Sequence, residues 1–201
     1  MLREDNARQG FLDLGSFLAL RDNLPDDLKG PVSFLYLSGW RVGEMRALEW
    51  RDVDLDAHEI RLRPENSKNK TGRILPLTGE LLEIVQRAWS QRSPVCLFVF
   101  QRSGRSIGDF RKPWKSACSQ AGLGGIIVHD MRRTAVRNMI RAGIPERVAM
   151  SLSGHKTRAI FDRYHIVSNS DLTQASEKLQ VHLERQPQTG KVAKLHHEKA
   201  S

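Results

Sequence analysis

Two residue types that bind phosphate stand three positions apart in the segment VHDMRRTAVR, as His129 and Arg132. If this segment is helical, both side chains lie on one face, where an imidazole and a guanidinium can reach a shared target. A phosphate group would accept hydrogen bonds from both. Taken alone, the pair is more often typical of a solvated basic helix face, so the hypothesis depends on what the rest of the chain supplies.

A tyrosine downstream is a candidate nucleophile. The chain has two tyrosines, Tyr36 and Tyr164. Tyr36 lies in the apolar run FLYLSG, which predicts a core position, whereas Tyr164 has polar and charged neighbours in FDRYHIV and follows His155 of LSGHKTR by nine residues. Tyr164 is therefore the better nucleophile candidate. His165, beside it, is expected to contact the backbone or solvent instead of taking part in chemistry.

A third candidate lies upstream in LSGWRVGEMRALEW, where Arg41 follows a glycine turn at the predicted start of a helix. Backbone N–H groups at a helix start favour an anion, and the planar fork of a guanidinium suits two phosphate oxygens. Glu44, one turn further on, either orients this arginine or stabilises the helix start as an N-terminal acid. The sequence leaves both interpretations open.

The elements that must position these residues are mostly helices. Apolar spacing and capping signals predict helices over 12–24, 26–38, from 41 or 42 to before 50, 79–91, 109–121, 130–142, from 145, and 171–184. Alternating residues in 59–63 and 73–77, separated by the polar loop 66–72, predict a β-hairpin with a lysine-rich tip. The predicted fold class is mainly α (α+β), with one small antiparallel sheet.

These motifs together resemble the tyrosine recombinase family of the phage-integrase type. That family has an arginine in a T/S-G-x-R-x-x-E segment, a lysine on a β-hairpin, a His-x-x-Arg, a Gly-His, and a tyrosine about nine residues after that histidine. The similarity extends over about 5–171, and five motifs in the family's order make an accidental match very improbable. The matching residues are, in order, Arg41, Lys68, His129, Arg132, His155 and Tyr164.

The choice of lysine rests on the hairpin segment SKNKTGR, which contains Lys68 and Lys70. In members of the family, the lysine usually stands five residues before the arginine that precedes an I-L-P-L-like strand. That spacing selects Lys68, with Lys70 as the alternative.

The resemblance implies that Tyr164 attacks the scissile phosphodiester and forms a 3′-phosphotyrosyl bond, releasing a 5′-hydroxyl that later attacks from another strand. A tyrosine hydroxyl has an ordinary pKa near 10, so it needs help from a base or from nearby cations. Because the covalent link retains the bond energy, we expect no nucleotide cofactor, and no metal ion is expected either.

The other matched residues have implied roles around the phosphate. Arg41, Arg132 and His155 would stabilise the charge that develops on the nonbridging oxygens. Lys68 would protonate the departing 5′-oxygen as general acid, and His129 would accept and later return the tyrosine proton.

Charge and composition agree with a nucleic-acid partner. The formal net charge is +9 and the sequence pI is about 10.0, which favours binding to a polyanion. The resemblance to tyrosine recombinases implies double-stranded DNA as the partner, with self-association into a tetramer on DNA and a monomer as the alternative in isolation. The sequence has no apolar run of the roughly 20 residues that span a bilayer and no signal-peptide core, which predicts a cytoplasmic, nucleoid-associated protein with no membrane partner. Cys96 and Cys118 are predicted to be buried thiols.

The expected organisation is a catalytic domain over 1–186 and a disordered polar tail over 187–201. Complete members of the family carry a preceding helical domain of roughly a hundred residues, which this sequence lacks. We expect its absence to affect strong DNA binding, target specificity and complete recombination, but not the active-site chemistry. The helix predicted over 171–184 packs either within its own chain or on a neighbouring protomer. A non-catalytic DNA-binding fragment is the alternative function, and a type IB topoisomerase a third, less favoured because of His155 and the small size.

Overall fold

The fold is described by a computed structural model that covers residues 10–68, 70–158 and 169–185. The chain divides into two compact units, Met1–Ile166 and Val167–Ser201. The elements of the first unit are, in chain order, α1 (Leu14–Asp22), α2 (Asp26–Ser38), α3 (Val42–Arg46), a 3-10 turn (Trp50–Asp52), β1 (Val53–Asp54), β2 (Glu59–Leu62), a second 3-10 turn (Pro64–Asn66), β3 (Arg73–Pro76), α4 (Gly79–Ser90), β4 (Gln101–Arg102), β5 (Arg105–Ser106), α5 (Arg111–Gln120), α6 (His129–Arg141) and α7 (Glu146–Ser153).

Helix α2 is the central element, because it packs against α4 and α6 as well as α1. Its sequence carries apolar residues on several faces, and Leu28, Val32 and Leu35 are almost completely buried. Tyr36 is buried too, and its ring stacks on that of Phe17 with centroids 3.7 Å apart. The predicted core position of Tyr36 is therefore confirmed.

The end of α2 is set by Gly39, which has φ +67° in the left-handed region. Glycine adopts this conformation without a Cβ clash and therefore often ends helices. A Cβ here would also lie 3.1 Å from the Cβ of Ala135 on α6. Gly39 thus turns the chain sharply and allows α6 to approach it closely.

The predicted hairpin is confirmed and extended by one strand. Strands β1, β2 and β3 form an antiparallel sheet in that order, with Ile60 opposite Leu75. Both of these side chains are buried. A second, two-stranded sheet, β4 and β5, was not predicted, because strands of two residues are too short to show alternation.

An ionic network holds the hairpin to the domain. The guanidinium of Arg63, at the end of β2, donates to both carboxylate oxygens of the buried Asp52, with Nε 2.6 Å from Oδ1 and Nη2 3.3 Å from Oδ2. Arg63 Nη2 also lies 3.1 Å from Glu49 Oε1. These contacts fix the base of the loop that carries Lys68.

Helices α6 and α7 pack on each other through a small apolar cluster, with Ala135, Val136 and Met139 from α6 against Ala149 from α7. Cys96 and Cys118 are buried free thiols, as predicted, and burial raises the pKa of the Cys118 thiol.

The described part of the second unit is helix α8 (Asn169–Glu184), which confirms the predicted helix over 171–184. Its residues Leu172, Leu179 and Leu183 are exposed. Throughout the described residues, no helix combines the length and the apolar character that crossing a membrane requires. The predicted tail over 187–201 lies outside the described residues.

Candidate active site

Arg41 precedes the one-turn helix α3, and its position is fixed by Glu44. The Arg41 backbone N–H donates to Oε2 of Glu44 at 2.8 Å, and Arg41 Nη1 donates to Oε1 at 3.0 Å. Glu44 thus caps the helix start and also orients the guanidinium, so both interpretations left open by the sequence hold together. Because α3 has only five residues, the positive character of this corner comes from the Arg41 side chain and not from a helix dipole.

Arg73 shares the same carboxylate and was not among the predicted site residues. It begins β3, and its Nη1 and Nη2 lie 3.2 and 2.5 Å from Oε1 and Oε2 of Glu44. Its guanidinium also stacks over the ring of Trp40, 4.7 Å from the centroid. Arg73 therefore connects the hairpin to the segment that holds Arg41.

The two arginines determine the ionisation of Glu44, which is only 2% exposed. Burial alone would raise the pKa of this carboxyl, but hydrogen bonds and charge from Arg73, together with hydrogen bonds from Arg41, outweigh that effect and lower its pKa. Glu44 is thus an anion that holds two cations.

Arg132 is buried on α6, where its guanidinium is held by the carboxyl ends of two helices. Its Nη1 donates to the carbonyl oxygen of Gly39, after α2, at 2.6 Å and to that of Ser153, at the end of α7, at 2.5 Å. Helix C-termini carry carbonyls that lack intrahelical partners and favour a cation. The fold therefore positions this guanidinium firmly.

His155 follows α7 after Gly154, which has φ +73°. The imidazole is 7% exposed, with Nδ1 2.7 Å from the Ser153 hydroxyl oxygen. Arg132 Nη2 lies 3.1 Å from Nε2 and 3.3 Å from Nδ1 of the same ring.

Burial, and then the nearby positive charges, lower the pKa of His155 to about 3. Among the charges, the largest contributions come from those of Arg132 and then Arg41. The imidazole is consequently neutral at neutral pH.

His129 begins α6 and is exposed. Removal of part of its ring from water, and then the charges of Arg132 and Arg133, lower its pKa. It is therefore neutral at neutral pH and chemically able to accept a proton.

The hairpin loop lies against this site. Ser67, Gly72 and Arg73 line a cleft of about 140 Å³ together with Gly154 and His155. Lys68 follows the buried Ser67 and is exposed, as is Lys70, whose φ of +53° is unusual for a lysine. The choice of Lys68 over Lys70 stays a prediction.

Tyr164 and His165 lie outside the described residues. Among the described residues, Arg132 contacts both His155 and the carbonyl of Gly39, two residues before Arg41, and His129 lies one turn before Arg132 on α6. The loop of Lys68 lies alongside. Arg73 and Ser153, which the sequence did not single out, also contact these residues or their supports. The five-residue spacing between Lys68 and Arg73 was the signal that could have identified Arg73. Nothing in the sequence marked Ser153. Within the described ranges, no group of three or more His, Cys, Asp or Glu side chains could hold a metal ion.

Comparison with known proteins agrees with this arrangement. The integrase of Salmonella phage P22 is 22% identical over 186 residues, covering 87% of this chain and 48% of the relative. Tyrosine recombinase XerC of Chlamydia pneumoniae is 28% identical over 187 residues, covering 87% and 54%. The chain thus spans about half the length of these curated relatives.

Solved structures share the fold. XerA recombinase superposes with a TM-score of 0.71 at 22% identity, over 85% of this chain and 65% of that one. The Tn1549 transposon integrase in complex with a circular intermediate DNA gives 0.73 at 15% identity, over 89% and 68%. The profile that describes the phage integrase family matches residues 16–170. This match covers well over half of the sequence and confirms the resemblance seen in its motifs, so the chain belongs to the phage integrase family.

Proposed function

We propose that this chain is the catalytic domain of a site-specific DNA recombinase that cleaves and rejoins DNA strands through a 3′-phosphotyrosyl intermediate. The observation that carries the proposal is the position of Arg132: its Nη2 lies 3.1 Å from the imidazole of His155, and its Nη1 donates to the carbonyl of Gly39, two residues before Arg41. Contacts within the fold hold both arginines. Glu44 binds Arg41, and two backbone carbonyls bind Arg132. Preorganised cations of this kind suit a phosphoryl group that gains charge in its transition state.

The contacts of Arg132 suggest how it would meet a phosphate. Its Nη1 already donates to the carbonyls of Gly39 and Ser153. A nonbridging phosphate oxygen would therefore meet a guanidinium whose plane is already fixed by these contacts. Arg41 would supply a second donor, held at Nη1 by Glu44.

In the proposed reaction, the phenol oxygen of Tyr164 attacks phosphorus while its proton passes to His129. The bond from phosphorus to the 5′-oxygen breaks, and Lys68 donates a proton to that oxygen. The reverse attack, by the 5′-hydroxyl of another strand, breaks the phosphotyrosyl bond and returns the proton to Tyr164. The lowered pKa of His129 supports its part, because a base must be unprotonated at working pH.

Double-stranded DNA is the proposed substrate, and self-association on it the proposed assembly. The net charge of +9 supports a polyanionic partner. Solved structures with the same fold include a lambda integrase dimer bound to a COC′ core site and XerH bound to a palindromic difH substrate. We propose that the protein forms a tetramer on DNA and acts in the cytoplasm, at the nucleoid. Residues 1–186 would form the catalytic domain and residues 187–201 a tail.

The proposal is tested with a pool of nicked duplexes of randomised sequence, in which the nick lets the released fragment diffuse away and traps the covalent adduct. We expect an adduct that resists SDS and disappears in Tyr164→Phe. Tyr36→Phe is the matched control, because it removes the chain's other phenol, which is buried and accepts a hydrogen bond from Asn138 at 3.4 Å. Folded wild-type protein that binds the pool but yields no adduct would overturn the proposal and favour a DNA-binding fragment without catalysis.

A further inference from the structure

The first described residues of the chain, Gly10–Leu12, lie along helix α6. The backbone N–H of Leu12 donates to Oγ1 of Thr134 at 3.1 Å, across 122 positions of sequence. The guanidinium of Arg137 lies over the ring of Phe11, 4.6 Å from its centroid. Leu12 is 2% exposed and belongs to the main apolar core. We call the segment Gly10–Leu12 the strap.

Gly10 packs on the side chain of Asp130, the second residue of α6. A Cβ on Gly10 would lie 2.6 Å from the carboxyl carbon of Asp130 and 2.6 Å from its Oδ2. This carboxylate has little room to move aside, because it is completely buried and Oδ2 accepts from the backbone N–H of Ile127 at 2.9 Å. A glycine therefore lets the strap approach the start of α6 this closely.

Thr134 connects the strap to the same part of the helix. Its hydroxyl donates to the backbone carbonyl of Asp130 at 2.8 Å, and its oxygen accepts from the N–H of Leu12. Both assignments follow from the partners, since a carbonyl oxygen only accepts and a backbone N–H only donates. Thr134 is fully buried, so its hydroxyl joins two backbone segments in a place shielded from water.

The strap contacts one face of α6, and a proposed phosphate-binding arginine lies on the opposite face. Asp130, Thr134 and Arg137 are spaced by four and then three positions, so their side chains share a face. Arg132, two residues after Asp130, lies about 200° around the helix. There its guanidinium donates to backbone carbonyls at the ends of α2 and α7. Helix α6 is therefore held from both sides.

We propose that the strap positions α6 for DNA cleavage, with Gly10 and Thr134 as positioning residues that act through His129 and Arg132. The effect on cleavage rests on the proposed function, whereas the attachment of the strap to α6 does not. His129 directly precedes Asp130, so a shift of the buried carboxylate would move the first turn of the helix, where the proposed base and the arginine both stand. Misplacement of a reacting group by about 1 Å can cost a large factor in rate.

Attachment of the strap is measured by amide hydrogen exchange, read by NMR on the full ¹⁵N-labelled chain without DNA. We expect slow exchange of the Leu12 amide in wild type. Thr134→Val, which keeps the shape of the side chain and removes the hydroxyl, should speed that exchange about tenfold, the factor that corresponds to the loss of one hydrogen bond. Thr134→Ser, which keeps the hydroxyl, should preserve slow exchange. A wild-type Leu12 amide that exchanges as in an unfolded chain, or an unchanged rate of exchange in Thr134→Val, would overturn the proposal.

The effect on chemistry is measured as the single-turnover rate of adduct formation at saturating nicked DNA, which separates cleavage from binding. We expect Thr134→Val and Gly10→Ala each to lose about tenfold, with Thr134→Ser close to wild type. Gly15→Ala is the matched control for the added methyl group, since a Cβ there lies 3.5 Å from Asp13 Oδ1, an ordinary contact distance. A wild-type rate in Thr134→Val or in Gly10→Ala would contradict the positioning role.

Hydrogen exchange in α4 distinguishes positioning from a general loss of stability, because this helix packs on α2 and is part of neither the strap nor α6. A slower rate of cleavage with unchanged exchange in α4 supports positioning. Exchange that rises in α4 by the same factor as at Leu12 would mean that the whole domain is destabilised, and the proposal would be wrong. Wild-type protein that forms no adduct contradicts the proposed function, while exchange at Leu12 still decides whether the strap is attached.

Discussion

Arg73 and Glu44 form a buried bidentate ion pair, in which Nη1 and Nη2 of the guanidinium lie 3.2 and 2.5 Å from the two carboxylate oxygens. The residues are 29 positions apart, one on β3 and the other on α3. Because Glu44 also binds Arg41, this pair joins the hairpin to a proposed phosphate-binding arginine. Displacement of the hairpin base is therefore expected to disturb Arg41.

The first prediction concerns Glu44→Gln, which keeps the shape of the side chain and removes its charge. Two guanidiniums would then face an amide that cannot neutralise them, and breaking a buried ion pair costs about 3 kcal/mol or more in the free energy of unfolding. Adduct formation should fall about a hundredfold because Arg41 loses its fixed position. Denaturant unfolding and the nicked-substrate assay measure the two effects.

The matched control for that change is Glu80→Gln. Glu80 is exposed and lies 3.6 Å from Arg21 at the surface, so its loss should change the free energy of unfolding by about 0.5 kcal/mol or less. Equal stability losses in the two variants would contradict the importance given to the buried carboxylate.

The second prediction concerns pH. The pKa of His155 is about 3 in the folded protein and near 6.5 in an unfolded chain. Between these values the unfolded chain binds a proton that the folded one does not, so stability is complete above about pH 6.5 and decreases as pH falls towards 3. The lowered pKa of His129 acts in the same direction.

Two measurements check this behaviour. NMR titration should show the His155 ring neutral down to at least pH 5, and unfolding experiments should find a smaller loss of stability between pH 7 and pH 5 in His155→Gln than in wild type. A His155 ring that titrates near pH 6.5 would show that it is neither buried nor surrounded by cations in the way described.

The third prediction concerns Gly154→Ala. This glycine has φ +73°, and a Cβ on it would lie 2.6 Å from Arg73 Nη1 and 2.9 Å from Arg73 Cζ. We expect backbone strain of about 1–3 kcal/mol, together with displacement of Arg73 and slower adduct formation.

Gly143→Ala isolates the backbone part of that effect. Gly143 has φ +78°, and a Cβ there meets no atom within 4 Å. Its variant should lose stability through strain but cleave close to the wild-type rate. Equal rates of cleavage by Gly154→Ala and Gly143→Ala would contradict the prediction that displacement of Arg73 slows adduct formation.

Most elements follow from the sequence because they depend on local signals. Apolar spacing and terminal residues predict α2 and α6, and alternation predicts β2 and β3. The interaction of Arg41 with Glu44 was also predictable, since the two residues are three positions apart. Helix α3 is shorter than predicted and ends at Arg46.

The missed contacts depend on chain packing. Arg73 meets Glu44 only because the sheet places the start of β3 beside α3, and no periodicity in the sequence encodes that meeting. Nothing in the sequence marks Ser153, because serines are common at helix ends, and its contact with His155 depends on the turn at Gly154. Tyr164, the predicted nucleophile, lies outside the described residues and remains a prediction.

The carbonyls that hold Arg132 have a consequence for synthesis of the protein. Gly39 precedes this arginine by 93 residues and Ser153 follows it by 21, so the guanidinium makes both carbonyl contacts only after the ribosome has released the end of α7. A nascent chain that stops short of that point contains Arg132 but lacks its contact with the carbonyl of Ser153. This part of the proposed site is therefore complete only when α7 has folded beside α6 and the end of α2.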